Sequence, residues 1–512
     1  MKRTLNLLLL TLLCLFAYSQ ENNSVPLNEI VIGENPITKE SIYALEYTFP
    51  ERVEDITVNP DKQIMLVQLR GVDKKDRLKK KGNLVIYDYA NKAVKWGKPI
   101  NFEKEGYSYF YDKLLKYTNG GTTQVNLDDG KDLWKIKASL FYVHPSGQVG
   151  IGTRGNSNNL EGFNMQNGKS IWKRKMKNPH DWNTMNLTDT TLLVHGSGLS
   201  SLNIVHGNGW EYEISTHSNN YTSVVVSGLL GVASAILTGY GSVRTNPDVT
   251  FGINSNVLIE DEERLYYAGR ENFICLDFHG NALWNITLPK DMTSRSSIFI
   301  DEDTIYLINY GFAFFNGKLD KCGKPFIASY NKHTGVQNFA TSIDETSYFN
   351  DYAVNLENNT LYLLYDNALA LYALDEGTFT MKRNFLAGDN LPPLASVAGE
   401  RLFAKDNEGY VNHVTTWAGN DLYVCTYDND IYKIDSEFNV SKAYESNQLY
   451  TLYYENDGYR FLGNPTETVI IDNNDSTVAY LQLSNEANVV GDKLYGVKDN
   501  QLLEVNISSY MQ

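Results

Sequence analysis

The residues that could do acid–base, metal or nucleophilic chemistry are scattered along this chain. None of the histidines has another at the H-x-H or H-x-x-x-H spacing that brings two imidazoles to one metal ion. No two of the four cysteines are separated by the two residues typical of a structural zinc site. The sequence therefore predicts no metal site. The eight histidines are His144, His180, His195, His206, His217, His279, His333 and His413.

Three short segments superficially resemble catalytic or ion-binding sequences. His195-Gly196-Ser197-Gly198 contains a serine between glycines, but a hydrolase nucleophile needs G-x-S-x-G between a strand and a helix, and strand-like segments flank this one. The acidic turns at 128–130 and 472–475 lack the spacing of an EF-hand calcium loop. We interpret all three as ordinary turns and assign no catalytic residue.

The overall composition restricts the class of protein. The chain has 512 residues, 42% of them hydrophobic and 21% charged, which is typical of a globular protein. Its formal net charge of -16 would be repelled by a phosphate backbone, so we exclude nucleic acid as a partner. Aromatic residues reach 12% and include 35 tyrosines, a composition that favours strands.

The N-terminus has the layout of a secretory signal peptide. Lys2 and Arg3 precede an apolar run over residues 5–16, and small residues stand at the -3 and -1 positions before Gln20. We expect residues 1–19 to be a signal peptide and 20–512 to be the mature chain. A lipoprotein anchor at Cys14 is disfavoured because Leu13 is large, so we expect a periplasmic or outer-membrane-associated protein rather than a secreted one.

Three cysteines, Cys275, Cys322 and Cys425, remain after export. Three buried, unpaired thiols are the favoured interpretation. One disulfide with one free thiol is the alternative in an oxidising compartment.

A tryptophan recurs with a period of 38 residues. Each copy ends a pattern of an alternating strand, a polar turn usually containing glycine, and a second strand, which indicates an antiparallel hairpin. Another strand pair precedes each hairpin, and four short strands in about 38 residues correspond to one propeller blade. We expect the tryptophans to pack between neighbouring blades, a structural role. They are Trp96, Trp134, Trp172, Trp210 and Trp284, the last after nearly two periods.

This pattern resembles the PQQ-like β-propeller repeat, also called the Trp-docking motif. The resemblance covers about residues 50–508, is strong at 162–172 and 276–284, and weakens after Phe339. It implies an all-β propeller of four-stranded antiparallel blades. Quinoprotein dehydrogenases of this superfamily bind PQQ beneath adjacent cysteines, which this chain lacks, so the resemblance predicts no cofactor and disfavours oxidoreductase activity.

The number of blades follows less directly from the repeat. Eight copies of the hairpin pattern and one composite blade would make nine, whereas family members usually have eight or fewer. We expect eight, with seven or nine as alternatives. The segment at 41–49 is predicted to supply the outer strand of the last blade and to close the ring, which removes an exposed sheet edge.

Two insertions interrupt the repeat. The first, at about 217–252, contains 17 uncharged residues at 223–239. It either packs on the propeller or docks to a partner or membrane surface; a degenerate blade is a third possibility. The second, at about 311–325, is expected to be an extended hairpin loop at one rim. The candidate docking residues of the first insertion are Val224, Val225, Val226, Leu229, Leu230, Val232, Ile236 and Leu237.

Three function classes fit these observations. The leading one is a non-catalytic scaffold that binds a protein of the cell envelope, because the repeat resembles that of the propeller subunit of the outer-membrane β-barrel assembly machine. A small-ligand or carbohydrate-binding protein or enzyme using the central channel is the alternative, and a surface adhesion module is the third. The basic segment at 74–81 is expected to be a solvated loop, with peripheral membrane contact as an alternative.

Overall fold

The computed structural model describes most of the chain between residues 25 and 508. The described ranges are 25–154, 159–176, 183–195, 199–212, 255–260, 263–269, 272–288, 295–315, 318–321, 323–343, 348–385, 391–406, 408–456 and 458–508. Across these residues no helix has the length and apolar composition needed to cross a membrane. The predicted signal peptide, at residues 1–19, lies outside them.

The described secondary structure is β-strand apart from one 3-10 turn at Ser446–Gln448. The chain opens with a hairpin of β1 (Leu27–Glu34) and β2 (Ser41–Thr48). The following strands form antiparallel four-stranded units, numbered here in chain order.

The first five units are four-stranded meanders. Unit 1 contains β3 (Val53–Asn59), β4 (Ile64–Leu69), β5 (Lys81–Asp88) and β6 (Ala93–Asn101). Unit 2 contains β7 (Glu105–Phe110), β8 (Lys113–Thr118), β9 (Gly121–Val125) and β10 (Asp132–Ile136). Unit 3 contains β11 (Ser139–Val143), β12 (Val149–Thr153), β13 (Asn159–Asn164) and β14 (Ser170–Lys175). Unit 4 contains β15 (Asn183–Thr188), β16 (Thr191–His195), β17 (Leu199–Asn203) and β18 (Glu211–Tyr212). Unit 5 contains β19 (Leu258–Glu260), β20 (Arg264–Ala268), β21 (Asn272–Asp277) and β22 (Ala282–Thr287).

Units 6 to 8 carry additional strands in two places. Unit 6 contains β23 (Ser296–Asp301), β24 (Thr304–Asn309), the separate hairpin β25 (Phe312–Phe315) and β26 (Lys318–Lys321), then β27 (Phe326–Asn331) and β28 (Gln337–Ser342). Unit 7 contains β29 (Asp351–Asn355), β30 (Thr360–Tyr365), β31 (Ala368–Ala373) and β32 (Phe379–Asn384). Unit 8 begins with β33 (Leu394–Val397), is interrupted by β34 (Leu402–Lys405), β35 (Val411–His413) and β36 (Trp417–Ala418), and continues with β37 (Asp421–Thr426), β38 (Ile431–Ile434) and β39 (Val440–Tyr444).

The last two units belong to one eleven-stranded sheet that includes the N-terminus. Unit 9 contains β40 (Leu449–Glu455), β41 (Tyr459–Gly463), β42 (Thr468–Asp472) and β43 (Thr477–Leu481), and β34 adds to its first strand. Unit 10 contains β44 (Asn488–Val490), β45 (Lys493–Lys498) and β46 (Gln501–Asn506), and β2 pairs with β46 as its outer strand. The prediction that the segment at 41–49 completes the last blade is confirmed.

Apolar clusters between neighbouring units hold them in a ring. One cluster combines Tyr306 and Ile308 of unit 6 with Leu361 and Leu363 of unit 7. Equivalent clusters connect each unit to the next along the chain. A further cluster joins Tyr47, Tyr495 and Leu502 of unit 10 to residues of unit 1 such as Met65 and Tyr87. The ring therefore closes through side-chain packing, and the all-β propeller expected from the sequence is confirmed.

The described strands form ten units, whereas eight blades were preferred from the sequence. The eight hairpin copies correspond to units 1 to 8 and the composite blade to unit 10, so unit 9 is the one that the repeat did not indicate. At this end of the chain the tryptophan is absent, and a non-glycine residue takes the left-handed turn position. In unit 8 that residue is Phe438 (φ 63°) and in unit 9 it is Asp475 (φ 60°). The repeat signal therefore weakens in unit 8 and is lost in unit 9, although the four-stranded architecture continues.

Candidate protein-interaction site

The five tryptophans lie on or next to the fourth strand of their units, facing the next unit. Each indole Nε1–H donates a hydrogen bond across the interface, to a main-chain carbonyl in the turn between the third and fourth strands of the next unit. The bonds are Trp96 to Leu127 (2.8 Å), Trp134 to Met165 (3.0 Å), Trp172 to Ile204 (2.9 Å), Trp210 to Phe278 (2.8 Å) and Trp284 to Lys332 (2.9 Å).

The glycine of the same turn contacts the indole ring. Gly207 has φ 72°, and a Cβ atom there would lie 2.4 Å from the Trp172 ring. Gly130, Gly168, Gly280 and Gly335 also have positive φ and lie against the preceding tryptophan. The turn needs glycine both for its left-handed backbone and for the close approach of the ring. The five indole rings therefore form contacts between neighbouring units.

The candidate docking residues of the first insertion fall outside the described residues. Val224, Val225, Val226, Leu229, Leu230, Val232, Ile236 and Leu237 all belong to the segment 213–254, which connects β18 to β19. Their role stays a prediction.

The motifs examined for chemistry lie in strand connections. His195 ends β16 and pairs with Leu199 at the start of β17, so the His-Gly-Ser-Gly sequence joins two paired strands. Asp472 Oδ1 accepts hydrogen bonds from the N–H groups of Asn474 and Ser476, both at 2.8 Å, as in an ordinary Asx turn. Within the described part of the chain, no group of three or more histidine, cysteine or acidic side chains could hold a metal ion.

Two cysteines are described, and both carry free thiols. Cys275 is buried in β21, and burial raises the pKa of its thiol to about 12. Cys425 in β37 is half-buried, and burial raises its pKa as well. Both thiols are therefore protonated and poorly nucleophilic at neutral pH.

Aromatic and charged side chains gather on the first two strands of unit 6 and the first strand of unit 7. Phe299 stacks on Tyr306 with ring centroids 4.7 Å apart and on Tyr352 at 6.2 Å. The carboxylate of Asp351 accepts hydrogen bonds from the N–H groups of Tyr352 (2.9 Å) and Val397 (3.0 Å). Burial raises the pKa of Asp351. Both carboxylate oxygens are occupied by main-chain donors, so this residue connects units 7 and 8.

The hairpin β1–β2 exposes apolar side chains that pack on no core. Val31 is 56% exposed and lies opposite Tyr43, which is 47% exposed, and Ile37 in the turn is 67% exposed. β1 is a fifth strand outside unit 10, and it pairs with β43 only at Gly33 and Glu34. Sequence reasoning identified β2 and missed β1, although Ile30 and Ile32 alternate with polar and exposed positions as in a half-buried strand.

The similarity of this chain to solved structures is weak. No protein-family model matches the sequence, and no curated protein matches it. BamB from Moraxella catarrhalis is 12% identical, with 80% of this chain and 99% of that chain covered and a TM-score of 0.30. The computationally designed Ika8 protein is 8% identical, with 72% and 96% covered and a TM-score of 0.32. The Cps50 (Swd1) β-propeller domain of Myceliophteria thermophila is 9% identical, with 74% and 97% covered and a TM-score of 0.26.

Proposed function

We propose that this chain is an exported, non-catalytic β-propeller that binds a protein partner in the cell envelope. The observation that carries the proposal is the exposed apolar surface of the β1–β2 hairpin, formed by Val31, Ile37 and Tyr43. Apolar side chains clustered on a surface element favour association with another protein, whereas singly scattered ones do not.

The backbone of β1 offers a second means of recognition. Among the described strands, none pairs with residues 27–31 on the side away from β2. An open strand edge can accept a further strand from a partner, with main-chain hydrogen bonds giving affinity and neighbouring side chains giving specificity. A partner segment in extended conformation would use both the edge and the apolar surface.

The proposal also includes a cellular compartment and a repeat family. The signal-peptide layout of residues 1–19 supports export to the periplasm or the outer membrane. The five tryptophan–glycine contacts support membership of the PQQ-like repeat family in a branch without the quinone cofactor. Resemblance in repeat type makes outer-membrane protein assembly the first process to examine.

The test is affinity capture from envelope extracts with two matched triple variants. V31S, I37S and Y43S together remove the apolar surface of the hairpin. L133S, I171S and L283S remove three side chains of similar exposure (53%, 49% and 49%) that are distributed singly over units 2, 3 and 5. We expect the first variant to lose a defined partner at least tenfold and the second to retain it. If both variants captured the partner equally well, the hairpin would not be the contact.

A deletion of residues 217–252 separates the two possible contact regions. If this folded variant loses the partner while V31S/I37S/Y43S keeps it, the first insertion is the docking element and the hairpin is not. Near-ultraviolet circular dichroism of each variant establishes that the ring is intact.

A second candidate function is binding of a small ligand in the central channel. The half-buried rings of Phe299 and Tyr352, stacked with centroids 6.2 Å apart on the first strands of units 6 and 7, favour it, because ligand pockets are lined mainly by apolar and aromatic side chains. A thermal-shift screen of oligosaccharides tests this function. A ligand whose stabilisation survives Tyr352→Ala would not bind there.

A further inference from the structure

The loop between β4 and β5 concentrates positive charge on an acidic protein. Residues 72–81 contain five lysines and one arginine against two aspartates, in a chain with a net charge of -16. All six cationic side chains are exposed. The loop is therefore a local cationic site on a surface that otherwise repels anions.

The loop has a defined conformation. Val72 and Leu78 form a β-bridge across its base, and the N–H of Asp73 donates to the carbonyl of Arg77 at 2.8 Å. Arg77 pairs with Asp73 at 2.8 Å. Lys80 pairs with Glu103 at 2.7 Å. Among the described residues Lys74, Lys75, Lys79 and Lys81 form no ion pair, so four ammonium groups are available to an external anion.

Apolar side chains accompany this charge. Val72 is 36% exposed and Leu78 is 41% exposed, although they face each other across the bridge. A short loop that presents lysines and aliphatic groups together is suited to the boundary between lipid headgroups and acyl chains.

A second element of similar composition interrupts unit 6. The hairpin β25–β26 forms a two-stranded sheet of its own. Its sequence contains two phenylalanines (314 and 315) and two lysines (318 and 321), and the exposed Lys324 follows it. Like the loop at 72–81, it connects the second and third strands of its four-stranded unit.

Topology places both elements on one face of the ring. In an antiparallel meander, connections between second and third strands emerge at one end, and those between first and second or third and fourth strands at the other. The tryptophan contacts orient units 1 to 6 alike. Units 1 and 6 are five units apart in either direction around the ring. Turns on the opposite face are of mixed charge, with acidic residues at 128–129, 301–303 and 375–376 and single exposed lysines such as Lys62, Lys92 and Lys169.

We propose that the face carrying the 72–81 loop and the β25–β26 hairpin binds a membrane surface that contains anionic lipids. The two elements would make contacts on opposite sides of the ring. An acidic polypeptide is the less favoured partner, because recognition of carboxylates in fixed geometry typically uses arginine, whereas lysines act as point charges. This inference is independent of the protein partner proposed for the β1–β2 hairpin.

Vesicle co-sedimentation with the purified protein tests the proposal. The probes are vesicles of phosphatidylcholine alone and with 30% phosphatidylglycerol, roughly the anionic fraction needed for a clear surface potential. We expect binding to the anionic vesicles only, weakened by added salt. Each lysine near such a surface contributes on the order of fivefold, so K74Q/K75Q/K79Q is expected to weaken binding about 100-fold.

Three variants make the result specific. K62Q/K92Q/K169Q removes the same charge from exposed turns on the opposite face and is expected to bind as the unaltered chain does. V72S/L78S is expected to weaken binding severalfold without changing its salt dependence. K318Q/K321Q/K324Q tests the second contact and is expected to weaken binding to a similar degree as the first triple variant.

Several outcomes would overturn the proposal. They are equal binding to neutral vesicles, equal loss in the opposite-face variant, and no binding to anionic vesicles. Competition by millimolar inorganic phosphate would assign the lysines to a free anion instead of a lipid surface. Tight binding of polyglutamate without vesicle binding would assign them to an acidic polypeptide.

Discussion

At the scale of single residues, the contact between Gly207 and Trp172 shows why the repeat contains both residue types. The glycine supplies a left-handed turn, and its missing side chain leaves space for the indole ring. The ring in turn supplies an N–H donor to the carbonyl of Ile204. A change to either residue therefore acts on the interface between units 3 and 4.

We expect Gly207→Ala to be strongly destabilising. An added Cβ would lie 2.4 Å from the Trp172 ring, so the ring would have to move. The alanine would also strain the left-handed backbone. Gly419 is the matched control, because it has φ 60° and nothing within 4 Å of the added atom. Gly419→Ala should cost only the strain of a left-handed alanine, about 1 kcal/mol, and Gly207→Ala about 2 kcal/mol more. The free energy of unfolding in urea measures both, and equal costs would contradict the steric argument.

The carboxyl of Asp351 makes stability depend on pH in a predictable direction. Burial raises its pKa in the folded protein, so folding favours the protonated form. Its contribution to stability is therefore complete below about pH 4 and is lost as the pH rises through the raised folded pKa. Asp351→Asn removes this dependence, so the variant should gain stability relative to the unaltered chain between pH 4 and 7.

Asp472 supplies a control of opposite sign. Hydrogen bonds from backbone N–H groups, the strongest from Ser476, lower the pKa of Asp472. The contribution of Asp472 to folding stability is therefore present above about pH 4 and is lost as the pH falls below that value. Asp472→Asn should therefore lose relative stability as the pH rises. Urea unfolding at intervals from pH 3 to 7 gives both slopes. If the difference in unfolding free energy between Asp351→Asn and the unaltered chain did not change with pH, burial would not control the titration of Asp351.

At the scale of elements, the outer strand of unit 10 comes from the other end of the chain. Thr48 of β2 lies opposite Gln501 of β46, so the two ends of the fold meet across this strand pair. A disulfide between these positions would constrain the unfolded chain without altering the ring.

We expect the T48C/Q501C variant to be more stable when oxidised than when reduced. Linking residues so far apart in sequence removes much of the entropy of the unfolded chain, and measured gains are typically 2–4 kcal/mol. Denaturation with and without reductant compares the two forms, and the unaltered chain, treated identically, is the control. No difference would mean that β2 separates from β46 before the ring unfolds.

The elements that the sequence predicted are those whose local chemistry repeats. Trp96 to Trp284 mark five hairpins because indole and glycine recur together. Phe438 and Asp475 occupy the same turn position in later units without glycine, and strand pairing with tertiary packing compensates for their strained backbone. No local pattern reports such compensation, so unit 9 was missed, and the expected eight blades differ from the ten units that the described strands form.

The candidate site was less predictable for a related reason. Val31 and Tyr43 become neighbours only through the pairing of β1 with β2, and their exposure depends on which side faces unit 10. Alternation along a strand gives two faces but does not say which one is buried. The segment 41–49 could be recognised as a strand, whereas the exposed apolar surface required the assembled ring.

At the scale of the whole molecule, closure of the ring means that every unit is supported on both sides. The cluster around Tyr47, Tyr495 and Met65 is the only one of these interfaces, among the described residues, that joins the last unit to the first. Without it the units would form an open array, in which end units unfold more readily than central ones.

We therefore expect removal of β1 and β2 to weaken the ring unevenly. A chain that begins at residue 50 loses Ile42 and Ala44 from the interface of units 9 and 10, and Tyr47 and Phe49 from that of units 10 and 1. Amide hydrogen exchange should then accelerate most in units 10, 9 and 1 and least in unit 5, on the far side of the ring. A chain that begins at residue 25 keeps both strands and is the control. If unit 1 kept the protection of the control, units 10 and 1 would not be energetically coupled.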